Sequence, residues 1–178
     1  MPDEETTVVL YGYNRFKKLL KQADPELRRN MDKEIRSILT PISSLAKSKA
    51  ASAQGLSGWR ANAGQAGRWA DRAWNSSEAA QGISVRQGGK RSKGSATSAA
   101  WRITNKSAPG AIYELAGKKS HGKTPAGVAF VRALRERGGA PSRLIWAAWD
   151  EKGASQAIPR RIGGVVNKYE TELQNRLG

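Results

Sequence analysis

The feature that most limits how this chain can fold is a one-sided apolar stripe near its start. Leu27, Met31, Ile35, Ile38, Ile42 and Leu45 recur at intervals of four and three directly after Asp24 and Pro25. That period is helical, and Asp before Pro is a helix-start signal. The aspartate oxygen accepts from the first free N–H groups, and proline needs no donor at the first helical position. A helix running to about Ala51 would be roughly 40 Å long at 1.5 Å per residue. Pro41 inside it cannot donate to Ser37 and is expected to kink it. A second stripe closes the chain: Ile158, Ile162, Val165, Val166, Tyr169, Leu173 and Leu177, with Pro159 expected in its first turn. Each stripe must be buried against another layer.

The intervening sequence supplies that layer. Thr6 to Tyr11 is a short β-prone run, followed by Phe16, Leu19 and Leu20 at the spacing of a brief amphipathic helix. From Gly55 to Asn75 neither period survives; Trp59, Trp69 and Trp74 are interleaved with glycines, which predicts a packed loop anchored by tryptophan, with base stacking as the alternative role. Ile83 and Val85, then Trp101 and Ile103, alternate with polar residues on either side of a glycine- and lysine-rich stretch. They predict a hairpin with a long basic tip. Ala111 to Ala116 fits a short strand or a turn of helix, and Leu144 to Trp149 reads as a short buried strand. The expected fold is α+β, a single domain over residues 1–178. A long N-terminal helix and a C-terminal helix pack on a small twisted antiparallel sheet, with flexible basic loops near 87–95 and 117–125.

Charge bounds the partners. Thirty-one Lys and Arg against 15 Asp and Glu give a formal charge of +16, so an acidic neighbour or nucleic acid is expected beside the surface. Arg86, Lys90, Arg91 and Lys93 form one basic group and Lys118, Lys119 and Lys123 another, with Arg132, Arg135, Arg137, Arg143, Arg160 and Arg161 beyond. Spread in this way they suit an electrostatic lining rather than a reader of bases, and no nucleic-acid recognition motif accompanies them. The bland reading is a solvated surface. The absence of cysteine removes disulfides, thiolate nucleophiles and Cys-ligated zinc. His121 is the one histidine and stands in a loop-like stretch, while Asp150 and Glu151 are adjacent rather than on one face. No metal, cofactor or acid–base couple is expected. The N-terminus has no leader pattern, and no run approaches the ~20 apolar residues of a membrane span, so synthesis in the cytoplasm without membrane association is expected.

One motif competes with that reading. Gly117 to Thr124 satisfies GxxxxGK[ST], in which backbone N–H groups would cradle phosphate, Lys123 would reach the outer phosphates and Thr124 would hold Mg²⁺. A phosphate-loop hydrolase needs a parallel sheet joined by crossover helices, and only 54 residues follow Thr124. Pro125 also stands where N–H groups should be donating. Nucleotide hydrolysis is therefore the weakest of the readings.

At Ile103 to Gly117 the chain resembles the small neck or tail-completion proteins of siphophages, especially those of actinobacteria. In that family a long basic helix leads through a turn and a hairpin to a segment that Ile112, Tyr113, Glu114, Leu115, Ala116 and Gly117 match. An apolar strand and a C-terminal helix follow, which Ser142 to Trp149, with Trp146 and Trp149, and the helix after Ile158 resemble. The proline usual in the late apolar segment is replaced by Ala147 or Ala148. The resemblance implies a structural virion protein of the phage neck without catalytic residues or cofactors. It implies a homo-oligomeric ring, expected to be hexameric, that joins the head and portal side to the tail. Its neighbours would be the adaptor, stopper, tail terminator or tail tube, with genomic DNA passing through the lumen. A tail-terminator ring and a non-specific DNA-binding protein are the alternatives.

Overall fold

The computed structural model describes residues 6–9, 13–56, 59, 73–88, 99–118 and 122–177. Its axis is the stripe-bearing helix, α2, Pro25–Ser52, which follows a strand β1, Thr6–Val9, and a helix α1, Tyr13–Ala23. The Asp24 carboxylate accepts from the backbone N–H groups of Glu26 and Leu27 at 3.0 and 2.8 Å, and Pro25 is the first helical residue. The predicted stripe is buried from Leu27 to Ala50, and the helix continues through Pro41, whose side chain faces solvent. In α1, Leu20 is buried while Leu19 stays exposed.

The C-terminal helix, α7, Ala154–Leu177, lies antiparallel to α2. The direction is visible in the ion pairs: Arg176 meets Asp24 at 2.6 Å and Lys168 meets Glu34 at 3.0 Å, so rising numbers on one helix face falling numbers on the other. Ile158, Ile162, Val165, Tyr169 and Leu173 close against α2. The helix starts earlier than its stripe predicted, so Pro159 is inside it rather than in the first turn.

Across α2 lies a three-stranded antiparallel sheet of order β1-β3-β2, in which β2 is Ile83–Gln87 and β3 is Ala99–Asn105. The predicted hairpin is present, with Val85 opposite Ile103 and Arg86 opposite Arg102. Its basic tip, with Lys90, Arg91 and Lys93, lies outside the described residues, as do Lys119 and His121. Trp101 and Ile103 are fully buried toward α2, with the Arg36 guanidinium 5.9 Å from the Trp101 ring centroid. The sheet–helix combination is the α+β architecture the sequence predicted.

Four short helices complete the chain: α3, Ser76–Gly82; α4, Ala108–Leu115; α5, Pro125–Gly138; and α6, Ile145–Glu151. Two of them settle or correct the sequence reading. Ala111 to Ala116, open between strand and helix, belongs mostly to α4, begun by the Ser107 hydroxyl accepting from the Gly110 N–H at 3.1 Å. Leu144 to Trp149 is helical rather than a buried strand, and its burial follows the helical period, with Ile145, Ala148 and Trp149 inside and Trp146 and Ala147 half-buried. Of the tryptophan-rich stretch, Trp59 and Trp74 are described. Their ring centroids are 5.3 Å apart, Trp59 meets Phe130 edge-on at 5.1 Å, and Trp74 stacks on Tyr113 at 4.8 Å. These two rings are spent on packing, as anchors of irregular backbone.

Candidate functional site

The face of the hairpin turned away from α2 carries a polar cleft of about 390 Å³. Strand alternation builds its floor. Trp101 and Ile103 point into the core, so Arg102 and Thr104 project to the other side, and the register places Arg86 directly opposite Arg102. Lys106, just past the strand, adds a third cation, and Ala111 and Leu115 of α4 with Ile145 of α6 form an apolar wall. Like charges directly opposite on neighbouring strands repel, at a cost of about 0.2–1 kcal/mol. Among the described residues no carboxylate lies within ion-pair distance of Arg86 or Lys106; Arg86 Nε donates to Ser84 Oγ at 3.2 Å. Thr104 is only 8% exposed and its hydroxyl has no hydrogen-bond partner among the described residues. A buried polar atom left in that state costs about 1–3 kcal/mol.

The one acid lining the cleft is Glu114, and it has work elsewhere. At 4% exposure its carboxylate accepts the backbone N–H of Leu144, and those of Ile145 and Trp146 at 3.1 and 3.2 Å. These are the free donors at the start of α6, so a side chain from α4 caps a helix 30 residues away. Arg143, also buried, does the converse. Its Nη1 donates to the carbonyls of Tyr113 at 2.7 Å and Ala116 at 3.2 Å, and its Nε to that of Gly139 at 3.0 Å, closing the C-terminal ends of α4 and α5. Each charge meets the helix end of opposite partial charge. Burial pushes the Glu114 carboxyl above its usual range, opposed by the three N–H donors and by Arg143. Burial also lowers Arg143, against the pull of Tyr113 and Glu114.

The residues singled out from sequence thus separate. Arg86 lines the cleft. Lys123 is exposed ahead of α5, and Lys118 is exposed with its ammonium 5.9 Å from the Trp146 ring centroid. Tyr113, Glu114 and Trp149 are buried in the joint between α4, α6 and the core, with Ile112, Leu115, Gly117 and Trp146 half-buried around them. Arg102, Thr104 and Lys106 were not singled out as a cluster; the hairpin register could have placed Arg102 and Thr104 on the same face as Arg86.

The phosphate-loop letters occupy a different setting from the one that motif requires. A helix, α4, precedes them rather than a strand, and the sheet is antiparallel. Thr124 Oγ1 accepts from the Gly127 N–H at 3.1 Å as the cap of α5, and Pro125 is that helix's first residue. Among the described residues there is no group of three side chains able to hold a metal ion, and no helix is long and apolar enough to cross a membrane. Compared with protein-family models, with curated proteins and with solved structures, the chain matches none.

Proposed function

We propose that this chain is a structural protein of a phage neck, a non-enzymatic building block whose copies close into a ring joining the head and portal side to the tail. The observation that carries the reading is how the resemblance segment is used. Tyr113 and Glu114 are buried in a joint that fixes α4, α5 and α6 to one another, a framework role rather than a reactive one. The cations, by contrast, are presented outward on the hairpin, α5 and α7. Head-to-tail association about a rotation axis closes a ring, and an excess of positive charge suits it to anionic neighbours, whether acidic proteins or the exiting genome.

The test is the mass of the purified full-length chain by light scattering, alongside its affinity for duplex DNA. Mass that rises with concentration, with only modest DNA affinity, supports the ring. A monomer at every concentration that binds duplex tightly, with affinity falling steeply as salt rises, overturns it in favour of a DNA-binding protein acting alone.

A further inference from the structure

We propose that the cleft between α4 and the outer face of β2 and β3 is a docking site for an acidic peptide segment. A carboxylate would be held by Arg86 and Arg102, and an adjoining apolar side chain would rest on Ala111, Leu115 and Ile145. This stands whether or not the chain forms a ring.

Three independent observations meet there. Arg86 and Arg102 are paired across the hairpin, an arrangement that the protein tolerates at a cost and that an anion between them would turn into an attraction. Thr104, between them and Lys106 in the lining, keeps a buried hydroxyl without a partner, which a ligand oxygen or N–H would satisfy. The acid that could neutralise the cluster, Glu114, has its oxygens occupied by the backbone of α6. The cleft's shape decides the class of ligand. A recess of about 390 Å³ with an apolar wall takes one or two side chains. Duplex DNA presents its phosphates from a convex rod to protruding cations and would leave that wall unused. An inorganic anion would likewise gain nothing from Leu115 and Ile145.

The probe is a capped, fluorescently labelled hexapeptide of alternating glutamate and leucine, with anisotropy read on the full-length chain at about 0.15 M salt. Arg86→Gln and Arg102→Gln should each weaken binding by about fivefold or more, the loss expected for a charge-assisted hydrogen bond. Arg160→Gln and Arg161→Gln, exposed on α7, should change it by less than about twofold, as surface cations remote from the contact do. Thr104→Val should weaken binding while leaving the unfolding midpoint equal or higher, because it removes an unsatisfied hydroxyl without changing shape. Arg86→Gln should behave similarly by removing the cross-strand repulsion, and a purely structural role for either residue would not give that opposition. No binding at millimolar peptide overturns the proposal. So do equal losses in all four arginine variants, or a hexaglutamate peptide that binds as tightly as the leucine-bearing one. Competition by a short duplex that is itself lost in Arg86→Gln would assign the cleft to nucleic acid instead.

Discussion

Glu114 and Arg143 show how a charged pair can be buried without touching: each is satisfied by backbone at a helix end, and the two are linked through α4. Glu114→Ala would strip three N–H groups of their acceptor and leave Arg143 without its counter-charge, so urea unfolding should show a loss of about 3–5 kcal/mol. Arg143→Lys keeps the charge but cannot span the carbonyls of Tyr113, Ala116 and Gly139 from one planar group, and should lose about 2 kcal/mol. The pH dependence has a definite sign. Because burial raises the folded-state pKa of Glu114, the folded chain binds this proton more tightly than the unfolded one. Stability from this group is therefore greatest below its ordinary pKa of about 4.3 and declines as pH rises through the raised value. Asp24, whose carboxyl is lowered chiefly by the Leu27 N–H, acts oppositely, contributing above its ordinary pKa and losing that contribution in stronger acid. Glu114→Gln should flatten the decline above about pH 4.3 and leave the acid limb in place, as read by thermal midpoints across that range.

Among the elements, those whose signal is local were legible and those made by a distant partner were not. Asp24-Pro25 and the stripe behind it predicted α2 to within a residue at its end, and strand alternation predicted the hairpin. Leu144 to Trp149 was misread because a short apolar run carries no decisive period, and what makes it helical is a carboxylate supplied from α4. The basic cleft escaped for a related reason: Arg86 and Arg102 are 16 residues apart, and the register joins them. The start of α5 was local and still went unread. Thr124-Pro125 is the same signal as Asp24-Pro25, masked by the phosphate-loop letters that overlap it. Two substitutions separate the readings. Thr124→Ala should lower stability by about 1 kcal/mol through loss of the cap, with Thr124→Ser restoring it. Lys123→Ala, on an exposed side chain, should change stability by no more than about 0.5 kcal/mol. Calorimetry with ATP should give the same weak or null signal for Lys123→Ala as for the parent chain; nucleotide binding abolished by that change would restore the enzyme reading. Gly110 is a sharper point in the same region. A Cβ there would fall 2.2 Å from Asn105 Nδ2 and 2.5 Å from Ser107 Oγ, the two side chains that turn β3 into α4. Gly110→Ala should therefore disturb both the cap of α4 and the cleft beside it, lowering the unfolding midpoint.

At the scale of the whole molecule the dominant fact is a charge of +16 on 178 residues. Six copies in a ring would carry about 96 formal positive charges, so at low ionic strength the copies repel one another across a screening length of about 30 Å at 0.01 M salt. At 0.15 M that length falls to about 8 Å, which leaves short-range docking contacts intact while removing most of the long-range repulsion. A chain built to associate with itself should then gain mass as salt rises from 0.01 to 0.15 M at fixed concentration, and its thermal midpoint should rise with it. A protein whose charge serves duplex binding alone has the opposite dependence. Its affinity falls with the logarithm of salt, with a slope near 0.9 per phosphate contacted, and its own mass stays constant. An acidic neighbour should substitute for salt. Adding a polyanionic protein at 0.01 M should bring the copies together at a stoichiometry fixed by the ring, whereas simple charge neutralisation would give aggregates whose composition tracks the mixing ratio. Light scattering coupled to size separation distinguishes the two, and a mixture of variable composition at every ratio would leave the positive charge explained by non-specific attraction and the ring without support.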